Sequence, residues 1–260
     1  METYVFDGSL TGLLSAVFTF YERKSGAVKL VGQDEYQPDL LGGQLEIYSD
    51  PGQAARVWKG LAKQIGTDGL NRFYAAFLGE DATGYQCLFD LSRCIFDCGG
   101  NVMEDFGNAH VLFVSQLARK VHREKHRMEA FVRFHKMADG LFVSVVEPDY
   151  NVLPLIRKHF ADRYADQRWL IYDGRRKYGL YYDGDRTEEV EIGFSERAAQ
   201  LRGPSLPENL LAEDEELYQR LWRGYFNHTN IPARKNTKLH IRHVPKRYWR
   251  YLTEKFDLHL

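Results

Sequence analysis

The sequence predicts an α+β fold: a helical N-terminal lobe, a central antiparallel sheet of β-β-α-β-β-β order, and basic helices at the C-terminus. Three observations carry that reading. Apolar residues recur at helical spacing through the first half of the chain; beyond residue 127 they give way to short strand-like runs punctuated by Asp-Gly turns; and the last part of the chain mixes cations with aromatic rings. The corresponding segments are 1–126, mainly helical; 127–195, rich in β-structure; and 196–260, basic and helical, packing on the rest.

The opening stretch YVFDGSLTGLLSAVF predicts a short strand, a turn at Asp7-Gly8-Ser9, and a helix with Leu13, Leu14, Val17, Phe18 and Tyr21 on one stripe. Asp7 or Ser9 is placed to cap that helix, since a short side-chain oxygen can accept one of the unpaired amides of its first turn. Residues 43–49 alternate like a strand. Asp50-Pro51 then starts a helix through Val57, Leu61 and Ile65, proline being pre-organised for the first helical position. Further helices are expected at 67–79, 82–98 and about 109–126.

Two strands at 128–137 and 141–147 flank Asp139-Gly140, a dipeptide suited to a tight hairpin turn. A helix at about 151–165 follows, and then the strand-like pieces WLIYD, KYGLYYD and EEVEI. Short joins favour antiparallel pairing throughout. Gly203-Pro204 to Pro207 reads as a linker. The next nine residues, ENLLAEDEE, hold five acids and no base, which suits the positive end of a helix at about 213–227. A final helix is expected from Pro245, with Tyr248, Trp249, Leu252 and Phe256 on its apolar side.

Composition bounds the function. Hydrophobic residues make up 44% of the 260 and charged residues 27%, a balance that folds rather than stays disordered. Three cysteines and no apolar signal region predict a reducing, cytoplasmic setting. No apolar run approaches the roughly 20 residues needed to cross a bilayer, so no membrane association is expected. Cys87, Cys94 and Cys98 share one helical stripe with Leu91 and Ile95 and read as a packed apolar face.

The net charge is −1, yet Arg220 to Lys255 contains ten Lys/Arg and a single acid, Glu254. Such an imbalance points to a polyanion, and the interleaved aromatic rings supply surfaces on which bases stack. The candidate nucleic-acid contacts are the cations Arg223, Arg234, Lys235, Lys238, Lys246 and Arg247, the amide of Asn236, and the rings of His228 and Tyr248. Lys246 and Arg247 gain from the free amides expected in the first turn of the last helix. A second basic patch contributes Arg119, Lys120, Arg127 and Arg133.

Metal and catalytic motifs are weak. His122 and His126 stand one helical turn apart, but Glu124 lies two residues from His122 and is turned about 200° away, unlike the glutamate of a zinc protease motif. Asp183, Asp185, Glu188, Glu189 and Glu191 form an acidic cluster, and Glu147 and Asp149 a close pair; turn chemistry and a solvated strand face account for both. No serine-hydrolase elbow, P-loop or dinucleotide fingerprint is present. No residue is assigned to a metal or cofactor, and catalysis stays open.

Four further stretches, ARKVHREKHRMEAFVRF, HFADRYADQRWLIYD, RRKYGLYYD and RKNTKLHIRHVPKRYWRYLTE, together with the opening one, resemble a bacterial family assigned to DNA repair and DNA metabolism. The resemblance spans nearly the whole chain. It implies DNA as a partner and a companion radical S-adenosylmethionine protein, since members accompany one and a related domain occurs fused to uracil-DNA glycosylase-like modules. It implies no catalytic residues. The leading expectation is therefore an accessory DNA-binding protein. The alternatives are a metal-dependent enzyme acting on a DNA base or backbone through the Asp183–Glu191 carboxylates or the His122/His126 pair, and a scaffold that docks an acidic partner protein.

Overall fold

A computed structural model describes residues 2–37, 43–100, 102–191, 211–212, 215, 217–221, 241–252 and 255. The fold is α+β, and the chain divides into two compact units, Met1–His122 and Arg123–Leu260.

The first unit begins with β1 (Glu2–Phe6) and α1 (Leu10–Arg23), followed by β2 (Val28–Gly32) and β3 (Gln44–Glu46). β1 lies between the other two and is parallel to both, so α1 is the crossover between β1 and β2. The expectation of a mainly helical lobe missed this sheet in part: β2 was not foreseen. Ser9 caps α1 by accepting the amide of Gly12 at 2.9 Å, while Asp7 accepts the amide of Ser9.

Helix α2 (Pro51–Phe77) starts where expected. Its cap is Asp50, which accepts from the amides of Gly52 and Gln53. The boundary expected near residue 66 is a break within this helix: Gly66 has φ 64° and ψ −175°, a backbone shape that favours glycine, since other side chains meet a steric penalty there. Helix α3 (Ala82–Cys98) follows the expected bounds, capped by Asp81 and ended by Gly99 in the left-handed region. The core of this unit is formed by Tyr4, Phe6, Leu13, Leu61, Phe73 and Leu88, all essentially inaccessible. Each such side chain contributes about 1.5–3 kcal/mol through burial.

Helix α4 (Ala109–Phe131) is longer than predicted and runs on into residues of the second unit. The strand expected from 128 is helix as far as Phe131, because Met128 continues the apolar stripe and Lys125 pairs with Glu129 one turn on at 2.6 Å. What remains is the two-residue strand β4 (His135–Lys136), joined to β5 (Phe142–Val146) across Asp139-Gly140, with Gly140 at φ 81°. Helix α5 (Leu153–Arg163) leads to β6 (Trp169–Asp173), β7 (Tyr178–Tyr182) and β8 (Thr187–Glu191).

The five strands lie in sequence order. One pairing corrects the all-antiparallel expectation: β5 and β6 are parallel. The stretch between them, residues 147–168, contains α5 and is long enough to carry the chain back to the starting edge. Strand β6 is buried at every position, and Trp169 stacks on its register partner Tyr182 at 5.3 Å. The expected last helix is a six-residue 3-10 turn, Lys246–Tyr251, entered from Pro245.

Candidate functional site

All of the features below lie in the second unit unless stated. On α4, Glu124 falls on the same stripe as Met128 and is only 1% exposed. Its carboxylate accepts hydrogen bonds from the Tyr248 hydroxyl, from the guanidinium of Arg247 at 3.1 Å and of Arg127 at 3.4 Å, and from the amide of Asp149 at 3.1 Å. Arg247 also reaches Asp149 at 2.7 Å, and Arg250 pairs with Glu147. Burial, followed by the hydrogen bond and charge of Glu124, pushes the Tyr248 phenol well above its ordinary value.

These contacts correct one of the expected nucleic-acid contacts. Tyr248 is 1% exposed and offers no stacking face; it packs against Phe131 and anchors the 3-10 turn to α4. Arg247 and Arg127 both pair with the buried Glu124 carboxylate, although 45% of the Arg247 side chain stays accessible. Lys246 and Arg247 open a six-residue 3-10 turn rather than the α-helix expected there. Lys246 remains exposed, with its ammonium 5.7 Å from the Trp249 ring. Arg119 and Lys120 are exposed on the part of α4 that belongs to the first unit. Arg223, His228, Arg234, Lys235, Asn236 and Lys238 lie outside the described residues.

Arg133 stands at the edge of a cavity of about 860 Å³. Its cationic lining consists of Arg133, Lys136 and Arg163, with His159 beside them, and its acids are Glu129 and Glu215. Counting Lys/Arg against Asp/Glu gives three minus two, a net +1. The aromatic lining includes Phe134, Phe160, Tyr164 and Tyr218. Phe134 meets Tyr164 edge to face at 5.2 Å, Tyr164 lies parallel to Phe160 at 6.1 Å, and Tyr218 is 57% exposed. The Arg163 guanidinium sits 5.7 Å from the Tyr164 ring, and Arg133 donates to the carbonyls of Ala130 and Val132 at the end of α4.

One wall of this cavity is held by a buried pair. His135 Nδ1 lies 3.1 Å from Glu215 Oε1, and Glu215 also accepts from Gln219 and from the Lys136 amide, both at 3.0 Å. Burial by itself would raise the Glu215 carboxyl; the bonds from His135, Gln219 and Lys136 outweigh it and hold the group below the usual glutamate value. Sequence reasoning treated Glu215 as one of several dipole-complementing acids and did not single out His135. Glu124 left a signal, an acid in register with the buried Leu117, Val121 and Met128, that went unused.

Among the described residues, no group of three or more His, Cys, Asp and Glu side chains converges as a metal site would. His126 is 87% exposed, 3.9 Å from Glu129. Asp183 accepts the amides of Asp185 and Arg186, and the backbone bond from Arg186 is the main cause holding it below the ordinary aspartate value. Glu188, Glu189 and Glu191 project from the edge strand β8 and are exposed. In the first unit, Cys94 and Cys98 bring their sulfurs to 3.8 Å, with Cys98 exposed, so the cysteine stripe is only partly the packed face expected of it. No described helix is long and apolar enough to cross a membrane.

Residues 81–254 match a family described as a domain of unknown function, DUF4130. The chain belongs to that family. The DUF4130 match takes in α3, α4, the whole second sheet and the 3-10 turn, and therefore the cavity and the Glu124 cluster. No curated protein matches the chain. Among solved structures, it is similar to a pGpG-specific phosphodiesterase, PggH, from Vibrio cholerae, at 11% identity over 88% of this chain and 99% of that one. The TM-score is 0.28, too low for that likeness to carry an argument.

Proposed function

We propose that this DUF4130 protein is an accessory DNA-binding protein of DNA repair or DNA metabolism, acting in a reducing cytoplasm and presenting DNA to a radical S-adenosylmethionine partner. The observation that carries the binding reading is the cavity in which Arg133, Lys136 and Arg163 stand beside Phe134, Tyr164 and Tyr218. Cations neutralise phosphates and release condensed counterions, while exposed rings receive bases, so the two residue types together suit a nucleic-acid chain better than either does alone. The excess of ten Lys/Arg over one acid between Arg220 and Lys255 supports the same polyanion. The repair setting and the radical partner rest on the family resemblance.

The test is an oligonucleotide mobility-shift series across salt concentrations, run with and without the radical partner. With about six phosphate contacts, the logarithm of the binding constant falls against the logarithm of salt with a slope of about −4 to −5. A flat salt response, or equal affinity for an acidic peptide of similar charge, removes the proposal.

A further inference from the structure

We infer that the cavity between the end of α4, β4 and α5 is a nucleobase pocket, which takes one unstacked base with its phosphate rather than a length of duplex. This rests on the nucleic-acid reading above and narrows it to a ligand class. Size is the first argument. About 860 Å³ lies within the range of small-molecule sites and has room for a nucleotide, whereas a duplex is some 20 Å across and stays outside.

Chemistry is the second argument. Tyr218 is 57% exposed and Tyr164 is half-buried, so the lining presents ring surface to a ligand, and Phe134 and Phe160 back Tyr164 and hold its plane. A base placed on such a ring gains stacking energy whatever its identity. Polar groups line the same cavity. Glu129, its side chain 16% exposed, lies 3.8 Å from His159, and Gln219 is oriented by Glu215. A carboxylate accepts from an exocyclic amine, and an amide side chain both donates and accepts, so the pair suits the hydrogen-bonding edge of a base. Arg163 is exposed beside the Tyr164 ring, where a phosphate attached to a base on that ring would meet it.

An unstacked base is available from a single strand, or from a duplex that extrudes it at a mismatched or damaged position, where the cost of unpairing is least. The pocket thus predicts a preference for single-stranded or locally unpaired DNA over intact duplex.

The experiment uses the full chain and two probes: a deoxynucleoside 5′-monophosphate followed by calorimetry, and a single-stranded oligonucleotide carrying 2-aminopurine followed by fluorescence. Wild type is expected to bind both and to quench the 2-aminopurine. Tyr218→Ala, at an exposed position that leaves folding intact, weakens both by about tenfold. Arg163→Gln weakens the monophosphate but not the free nucleoside, and reduces the salt slope by about one.

The outcomes separate the two readings. Should the oligonucleotide bind with a steep salt response while 2-aminopurine is unquenched and the monophosphate does not bind, the pocket is overturned and the DNA-binding proposal stands. Monophosphate binding that Tyr218→Ala weakens, without any oligonucleotide binding, keeps the pocket and overturns the proposed function. Binding of neither probe overturns both.

Discussion

Among the described residues, the polar side chains buried in the first unit are the hydroxyls of Ser15, Ser92 and Ser115, whereas the second unit buries Glu124, His135, Asp173 and Glu215 as well as Ser144 and Thr187. The carboxylates of the first unit work at its surface instead, where Asp50 and Asp81 cap helices. In the second unit, two of the buried groups join segments far apart in sequence: Glu124 holds Arg247 and Tyr248, and Glu215 holds His135. Asp173 organises a turn whose Arg176 side chain reaches the Pro148 carbonyl at 3.1 Å. Apolar contacts tolerate sliding, but a buried carboxylate is satisfied in only one arrangement of donors. The second unit therefore trades hydration of its charges for a fixed placement of the loops and turns around its sheet.

That contrast is testable by substitution, and the largest effect is expected at Glu124. Glu124→Ala removes the acceptor of the buried Tyr248 hydroxyl, of the Asp149 amide and of Arg127, and one of the two carboxylates that Arg247 pairs with; it should cost about 3–5 kcal/mol in urea unfolding, against about 1 kcal/mol for Ser92→Ala in the first unit. Equal costs would end the comparison. Next is Asp173→Ala, which removes the acceptor for the amides of Arg175 and Arg176 and for the Arg176 guanidinium; a loss of about 2–3 kcal/mol is expected by the same measurement. The surface cap Asp50→Ala should cost about 1 kcal/mol, and a loss as large as that at Glu124 would show that caps matter as much as buried charge.

The smallest effect is a pH dependence at Glu215. Its folded carboxyl titrates below the ordinary glutamate value of 4.5, so its contribution is complete above that pH and is lost as the pH falls through the folded value. The stability difference between wild type and Glu215→Gln should therefore shrink on acidification below about pH 4.5, and a difference that is constant down to pH 3 would mean that the His135 contact adds no charge-dependent stability.

Legibility in the sequence followed the range of the interaction. The Ser9 and Asp50 caps, the bounds of α3, the break at residue 66 and the Asp139-Gly140 hairpin are set by neighbours a few residues away, and each was readable from them. The misses are long-range. Strand β2 is a strand because β1 is beside it; β5 and β6 are parallel because α5 spans the return; and Tyr248 is buried because a carboxylate on α4 faces it. Of the candidate site, Arg133 was anticipated. Lys136, Arg163 and the ring cluster were not, since they come from α4, β4, α5 and the helical residues 217–221, and no local pattern links them.

By itself the sequence determined the α+β class, the turns and caps, and the concentration of cations between Arg220 and Lys255, because propensity, periodicity and net charge are properties of short stretches. Only the tertiary structure decided which cations pair with a buried carboxylate. Arg127 and Arg247 look equivalent to Arg163 in a list of charges, yet a buried carboxylate must be neutralised by whatever cation the fold brings within reach, and here the fold brings those two.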